Sequence, residues 1–224
     1  MKTIFPFYFL LIQINACDSD RKLDRYSKEK KEESVYIDTL KSAAETESID
    51  VCFARAVYDI EYYDPLYISS TGAVGIMELM PREGSYTTVN YDNYIKARKR
   101  RNHVFEGKTV EEWAEAYVLD LTYLLEQYKN QSEKLVEKDK RFDPKYNIQE
   151  GVRELAVAYH YFRAKNYEEL RVMEFAAASY NAGIPAVENG GDHVPKNDAT
   201  EYYVPEVMRI YTKRSTEQTC LSFP

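Results

Sequence analysis

Apolar residues recur every three to four positions over most of the chain, which is the spacing of one face of a helix. Ahead of Glu61, for example, Phe53, Val57 and Ile60 form such a stripe. Asp64-Pro65 is expected to end this helix, because the residue before a proline disfavours the α conformation. The same periodicity predicts further helices at Val35–Ser48, Tyr91–Arg101, Thr109 to about Lys138, Asn147–Ala164 and Glu168–Ala182, and a last helix capped by Thr200.

Capping residues mark the ends of several of these helices. Thr109-Val-Glu-Glu112 is typical of a capping box at a helix start. Gly183 suits the C-terminal cap of a helix, and Pro185 prevents the helix from continuing. No strand-like alternation of convincing length is present. The predicted fold class is therefore mainly α, with at most a small β element near Ser69 or within Ser85–Tyr94.

The N-terminal residues have the pattern of an export signal. In residues 1–16, Lys2 supplies a positive charge and Ile4–Ile14 an apolar run too short to span a bilayer comfortably. The run closes on Ile-Asn-Ala-Cys17, which resembles the bacterial lipobox, where cleavage leaves Cys17 as a lipidated N-terminus. Ordinary secretion and an uncleaved anchor are the alternatives. We expect an exported lipoprotein, anchored to a membrane and facing the periplasm.

Residues 17–34 are almost all charged or polar, so they cannot bury enough apolar surface to fold alone. They predict a solvated tether that reaches roughly 50–60 Å when extended at about 3.3 Å per residue. A helical extension without a tethering role is the alternative.

Composition allows a globular core in the remaining residues, 35–224, since 44% of the chain is hydrophobic and 30% is charged. The formal net charge of −7 argues against a general nucleic-acid-binding protein. His103, His160 and His193 stand far apart, without metal-ligand spacing, and no phosphate-binding loop or nucleophilic-serine motif is present. The sequence therefore implies neither a metal nor an organic cofactor, and it sets no oligomeric state.

Glu61 is the candidate for acid–base chemistry. Apolar neighbours on its side of the helix disfavour the ionised carboxylate, and so does the negative end of the helix dipole. Both effects raise the pKa of a carboxyl group, as a general acid working near neutral pH requires. A solvated surface glutamate at a helix end is the alternative.

Four blocks of sequence follow the order found in one enzyme family. Ser69-Ser-Thr-Gly-Ala-Val-Gly-Ile-Met-Glu-Leu-Met-Pro81 comes first, and Asn147-Ile-Gln-Glu-Gly151 second. Phe175-Ala-Ala-Ala-Ser-Tyr-Asn-Ala-Gly183 and Thr200-Glu-Tyr-Tyr-Val204 complete the series. Together they resemble the lytic transglycosylase domain related to goose-type lysozyme, over roughly Ser48–Tyr211 with one long unmatched insert.

The resemblance implies a lysozyme-like helical domain that cleaves the β-1,4 bond between N-acetylmuramic acid and N-acetylglucosamine in peptidoglycan. Glu61 would be the single general acid and base, and the product would carry a 1,6-anhydro ring. The expected partners are peptidoglycan strands and, through the lipid, a membrane. The residues expected to line the substrate cleft are Ser69, Met77, Glu78, Tyr180, Asn181 and Tyr203.

Three positions depart from the family pattern. The turn before Pro65 is one residue short, so that an ungapped alignment places the catalytic position on Ile60 rather than on Glu61. Glu78 stands where the family has Gln, and Tyr62 where it has Ser. The short turn keeps a non-catalytic peptidoglycan-binding or scaffold protein open as an alternative, beside a hydrolytic lysozyme.

Two cysteines remain once Cys17 is lipidated. In an oxidising compartment Cys52 and Cys220 can form a disulfide, or they can remain two separate thiols.

The unmatched insert, at about 85–142, is expected to be a helical lid or support packed on the domain core. Its basic run, Lys96–Arg101, predicts either a solvated helix face or a contact with anionic cell-wall peptides or lipid headgroups.

Overall fold

The structure is a computed structural model that describes residues 34–61, 64–81, 88–191, 194 and 198–222. The predictions for the signal peptide, for lipidated Cys17, for most of the tether, for Tyr62 and for His193 lie outside the described residues. The chain divides into a first unit, 1–38, and a second, 39–224. Of the first unit, residues 34–38 are described and are helical. The following account concerns the second unit.

The fold class is mainly α, as predicted. Helix α1 covers residues 34–46. The other helices and the two short strands are α2 (Val51–Glu61), α3 (Val89–Arg98), β1 (Val104–Phe105), β2 (Lys108–Thr109), α4 (Val110–Tyr128), α5 (Ser132–Lys138), α6 (Pro144–Arg163), α7 (Glu169–Ala182), α8 (Ile184–Asn189) and α9 (Asp198–Glu217).

Several helix ends follow the capping signals in the sequence. Thr109 and Glu112 form the predicted capping box at the start of α4, each side chain bonding the other's backbone N–H. Gly183 caps α7 with φ +86, as expected for a residue without a Cβ. A small β element does occur near Ser69, where isolated bridges pair Val74 with Ile68 and with Leu79. The longer β1–β2 hairpin was not predicted. Its Glu106-Gly107 turn has φ of +48 and +78, as a two-residue hairpin turn requires.

Two helix predictions were wrong, and a third helix end has an added feature. The predicted helix from Thr109 to about Lys138 breaks after Tyr128, and Leu135 of α5 packs in the same apolar cluster as Leu124. Helix α7 ends before Pro185 as predicted, and Pro185 also opens α8, since a proline needs no N–H in the first turn of a helix. Thr200 does not cap α9, which begins at Asp198; Thr200 is fully buried in its first turn.

Helix α2 is tied to α9 by a disulfide and by a shared carboxylate. Cys52 and Cys220 are joined with their Cα atoms 4.7 Å apart, so the pairing that the sequence left open is formed. Asp59 accepts hydrogen bonds from Arg55 Nε and from Arg214 Nε, each at 2.6 Å. These ties hold the end of α2, where Glu61 lies, against α9.

The insert packs on the rest of the unit. Val74, from the loop before the insert, shares a buried cluster with Tyr117, Leu121 and Leu124 of α4. Residues of the insert therefore form part of the core that supports that loop.

The closest packing in α6 is made by Gly151. A Cβ at this position would lie 2.6 Å from Met77 Cβ, which cannot move without its backbone. We predict that Gly151→Ala destabilises the protein by about 1–2 kcal/mol, since overpacking outweighs the roughly 1 kcal/mol gain in helix propensity. Chemical denaturation would measure the difference. Val157→Ala at an exposed position of α6 is the control, and it should not destabilise. A stabilised Gly151→Ala would contradict the packing.

Candidate active site

Glu61 is the last residue of α2, and its side chain is only 8% exposed. Val57 and Tyr58, the residues four and three positions earlier on the same side of the helix, are 0% and 2% exposed. The carboxyl group therefore meets buried side chains and the negative end of the helix dipole, as expected. Its burial is incompatible with the alternative of a solvated surface glutamate.

Burial raises the pKa of Glu61 from its ordinary value of 4.5 to about 7. Two neighbouring side chains act in opposite directions: a hydrogen-bonding interaction with Tyr203 lowers the pKa, and the nearby carboxylate of Glu78 raises it. Desolvation is the leading cause. A group with this pKa is half protonated near neutral pH, so it can give up a proton and take one back.

Tyr203 of α9 is the second buried group that interacts with Glu61. It is 6% exposed, and burial together with the charge of Glu61 raises its pKa well above the ordinary value of 10.0. Its hydroxyl therefore keeps its proton and acts as a donor. The interaction with Glu61 is weak, since Tyr203 Oη has no well-formed hydrogen bond with any described residue. Tyr180 and Glu78 also act on this hydroxyl, so the four side chains lie together.

Glu78 is carried by a tight loop. We call Ser69–Pro81 the site loop. Within it, Val74 and Leu79 exchange both backbone hydrogen bonds at 3.0 Å, which closes a four-residue turn over 75–78. Glu78 occupies the left-handed region with φ +46, a conformation that is uncommon for a residue with a side chain. It is half-buried, and burial raises its pKa.

The side chain of Asn147, on α6, stabilises this turn through hydrogen bonds to its backbone. Its Oδ1 accepts from Met77 N at 2.8 Å, and its Nδ2 donates to Val74 O at 2.8 Å and to Arg141 O at 2.9 Å. The amide approaches so closely that a Cβ on Gly75 would lie 2.5 Å from Asn147 Nδ2. Position 75 therefore requires a glycine for two reasons: a side chain would clash with the Asn147 amide, and φ is +80.

Arg141 holds the other side of the site loop. Its Nη1 donates to the carbonyls of Gly72 and Leu79 at 3.2 and 2.9 Å. Its Nη2 donates to Tyr117 Oη at 2.9 Å and to Asp139 at 2.6 Å, and its Nε donates to Asp139. All five N–H groups of the buried guanidinium are thus satisfied, as a buried cation requires. Sequence reasoning missed Arg141, Asp139 and Asn147, although Asn147 stands in one of the four blocks.

The remaining predicted cleft residues occupy different environments. Tyr180 is half-buried and donates to Met77 O at 2.7 Å, while Asn181 is exposed at the end of α7. Ser69 is buried, and its Oγ accepts from Ala73 N at 3.0 Å inside the site loop. Met77 is fully buried, so its side chain supports the turn. Direct contact of these residues with a ligand stays a prediction.

Among the described residues, no group of three or more His, Cys, Asp or Glu side chains is arranged to hold a metal ion. Within the same residues, each helix is too short or too polar to cross a membrane.

Comparison of the chain with protein-family models, with curated proteins and with solved structures finds no match in any of the three.

The raised pKa of Glu61 makes folding depend on pH. The carboxyl ionises at about 4.5 when unfolded and at about 7 when folded, so ionisation increasingly favours the unfolded chain between those values. We predict that Glu61→Gln is more stable than the wild type by on the order of 3 kcal/mol above pH 7, and that the gain disappears below pH 4.5. Denaturation across pH would measure it. Glu115→Gln, on the exposed face of α4, is the control. A gain that does not vary with pH would contradict the burial.

Two substitutions should move the pKa of Glu61 in opposite directions. Tyr203→Phe removes the group that lowers it, so the midpoint should rise above about 7. Glu78→Gln removes the neighbouring carboxylate that raises it, so the midpoint should fall. Carboxyl-carbon NMR titration would report both, with Glu61→Gln assigning the signal. Shifts in the same direction for both variants would contradict this arrangement.

Proposed function

We propose that this protein is a peptidoglycan lytic transglycosylase with a lysozyme-like helical domain and Glu61 as its single general acid and base. The observation that carries the proposal is the buried Glu61 carboxyl with its pKa raised to about 7, beside Tyr203 and Glu78. A carboxyl group that is neutral at neutral pH can donate a proton to a glycosidic oxygen, and its conjugate base can accept one.

The arrangement of the four sequence blocks supports the same function. The family resemblance implies that Glu61 faces residues of three separate segments, namely the site loop, α7 and α9. Glu78 from the site loop and Tyr203 from α9 act on the pKa of Glu61, and Tyr180 from α7 acts on that of Tyr203. The alternative of a non-catalytic protein expects the short turn before Pro65 to direct Glu61 away from the cleft, and the interactions with Glu78 and Tyr203 support the catalytic function instead. This favours Glu61 over Ile60 as the catalytic position.

In the proposed reaction, protonated Glu61 donates its proton to the oxygen that links C1 of N-acetylmuramic acid to C4 of N-acetylglucosamine. The C1–O bond breaks, and positive charge develops at C1 of the muramic sugar. Ionised Glu61 then accepts the proton of the C6 hydroxyl of the same sugar, and O6 bonds to C1. The carboxyl group returns to its protonated form, and no water is consumed.

Tyr203 and Glu78 set how readily Glu61 makes these two transfers. The hydroxyl of Tyr203 stabilises the carboxylate that remains after the first transfer, because it lowers the pKa. Glu78 stabilises the protonated form needed at the start. In this proposal Asn181, which is exposed at the end of α7, contacts the substrate, and the family resemblance gives Ser69 and Met77 a similar role.

A hydrolytic lysozyme is the second candidate, and Glu78 is the feature that favours it. Glycosidases that use water commonly employ two carboxylates, one of them as base or nucleophile. Glu78 stands where the transglycosylase family has glutamine, and its charge acts on Glu61. The two functions differ in one product, since hydrolysis gives a reducing sugar and transglycosylation gives an anhydro sugar.

The proposed cellular setting follows from the N-terminal sequence alone. Lipidation of Cys17 would anchor the exported protein to a membrane facing the periplasm. The charged residues after it would let the domain reach the cell wall.

Digestion of purified peptidoglycan by the full chain tests this function. We predict anhydro-muropeptides from the wild type and at least about 1,000-fold less from Glu61→Gln, as the loss of a general acid that also serves as the base implies. Mass analysis of the products would measure both. The rate should fall as pH rises through about 7, because Glu61 must begin protonated. Reducing-end products would indicate a lysozyme, and a folded wild type that binds peptidoglycan without cleaving it would indicate a binding protein.

A further inference from the structure

Six exposed cations lie together at the C-terminal end of α3 and on the β1–β2 hairpin. We call Lys96, Arg98, Lys99, Arg100, Arg101 and Lys108 the basic platform. Over residues 96–108 they are accompanied by a single carboxylate, Glu106, so this segment carries a formal charge of +5 in a chain whose net charge is −7. Such a local reversal of charge is typical of a surface that binds an anionic partner.

Four of the six platform cations stand over aromatic rings. Arg100 and Lys96 stand over the ring of Phe105 at 4.8 and 5.5 Å. Lys108 stands over Trp113 at 4.5 Å, and Arg98 over Tyr94 at 5.6 Å. A ring fixes the position of a cation but leaves its full charge available to a partner.

Several cations elsewhere in the described part of the chain are neutralised by glutamates. Lys129, Arg153, Lys165, Arg171 and Arg209 each form an ion pair with a glutamate at 2.5–3.0 Å. No ion pair between described residues uses a platform cation. Within the described residues, the platform is therefore a cluster of cations without ion pairs. The rings beneath it are fixed, since Tyr94 and Trp113 are buried and Trp113 Nε1 donates to Phe105 O at 2.9 Å.

Helix α3 and the apolar cluster beneath the platform both contact the site loop. Tyr91, in the first turn of α3, donates from its hydroxyl to Pro81 O at 2.6 Å. Met80 packs against the apolar cluster that carries the platform. Seven residues of helix rise separate Tyr91 from Arg98 at the end of α3, which is about 10 Å at 1.5 Å per residue. A polymer bound beside Glu78 could thus reach the platform with its neighbouring units.

We propose that the basic platform binds the carboxylates of the peptide side chains of peptidoglycan, next to the bond that is cleaved. This inference rests on the proposed function, and it names the form of substrate: glycan that carries its peptides is bound in preference to glycan stripped of them. The tie between the platform and the site loop favours this anionic polymer over an anionic membrane.

The test measures binding separately from cleavage. Full chain carrying Glu61→Gln is pelleted with peptidoglycan sacculi and with the same sacculi after amidase has removed the peptides. We expect about ten-fold weaker binding to the stripped glycan. The platform variant replaces four cations by Gln: Arg98, Lys99, Arg100 and Arg101. Its binding to intact sacculi should be about ten-fold weaker, because each surface charge contact contributes a few-fold at most and several are lost together. The platform variant should bind stripped glycan as the parent does.

A matched control variant removes the same charge elsewhere. Replacement of Lys41, Lys129, Arg153 and Lys165 by Gln also lowers the net charge by four, but it leaves the platform intact and should bind intact sacculi normally. The difference between platform and control variants should diminish at high salt, as charge contacts are screened. Far-UV circular dichroism establishes that each variant is folded.

Two results would overturn the inference. The first is equal binding of intact and stripped sacculi, or equal loss in the platform and control variants. The second is a platform variant that keeps its binding to sacculi but loses the preference for anionic over zwitterionic lipid vesicles, which would assign the platform to a membrane. Failure of the proposed function would be a separate result. In that case the wild type yields no anhydro product and still binds intact sacculi through the platform. That outcome would reject the transglycosylase and retain the inferred partner of the platform.

Discussion

The hydrogen bonds of one buried amide support the rest of the site. Asn147 satisfies both the N–H of Met77 and the carbonyl of Val74, and so holds the turn that presents Glu78. Arg141 satisfies the carbonyls of Gly72 and Leu79 on the other side. Leaving any one of these buried groups without a partner would cost roughly 1–3 kcal/mol. The left-handed conformation of Glu78 persists because its surroundings are fixed in this way.

Burial of Glu61 lowers the stability of the folded chain, and covalent and ionic links between helices offset that loss. Because the pKa of Glu61 is raised to about 7, ionisation of its carboxyl group favours the unfolded state. The disulfide between Cys52 and Cys220 closes a separation of 168 residues, which contributes about 5 kcal/mol in the chain-entropy model. With Asp59 shared between Arg55 and Arg214, it keeps α2 against α9, and hence Glu61 against Tyr203.

Local signals in the sequence predicted the parts of the fold that local physics controls. Periodicity and capping located α2 and the start of α4, and the proline turn and apolar neighbours predicted the burial of Glu61. The Cys52–Cys220 pair remained open because sequence alone gives no distance between residues 168 apart. Arg141 could not be recognised either, since its partners Gly72 and Leu79 lie 69 and 62 residues away. Tyr117 is buried on the apolar face of α4, but helical periodicity cannot show that its hydroxyl accepts a hydrogen bond from Arg141.

The insert has two faces with different roles. Its inner side chains, among them Tyr117 and Leu121, pack with Val74 and so position the site loop. Its outer face carries unpaired cations over aromatic rings. Other surface cations, such as Arg153 and Arg209, pair with glutamates. Four of the six platform cations stand instead over the rings of Tyr94, Phe105 and Trp113. The apolar cluster beneath these rings also packs against Met80, so that one cluster joins the outer face of the insert to the site loop that carries Glu78.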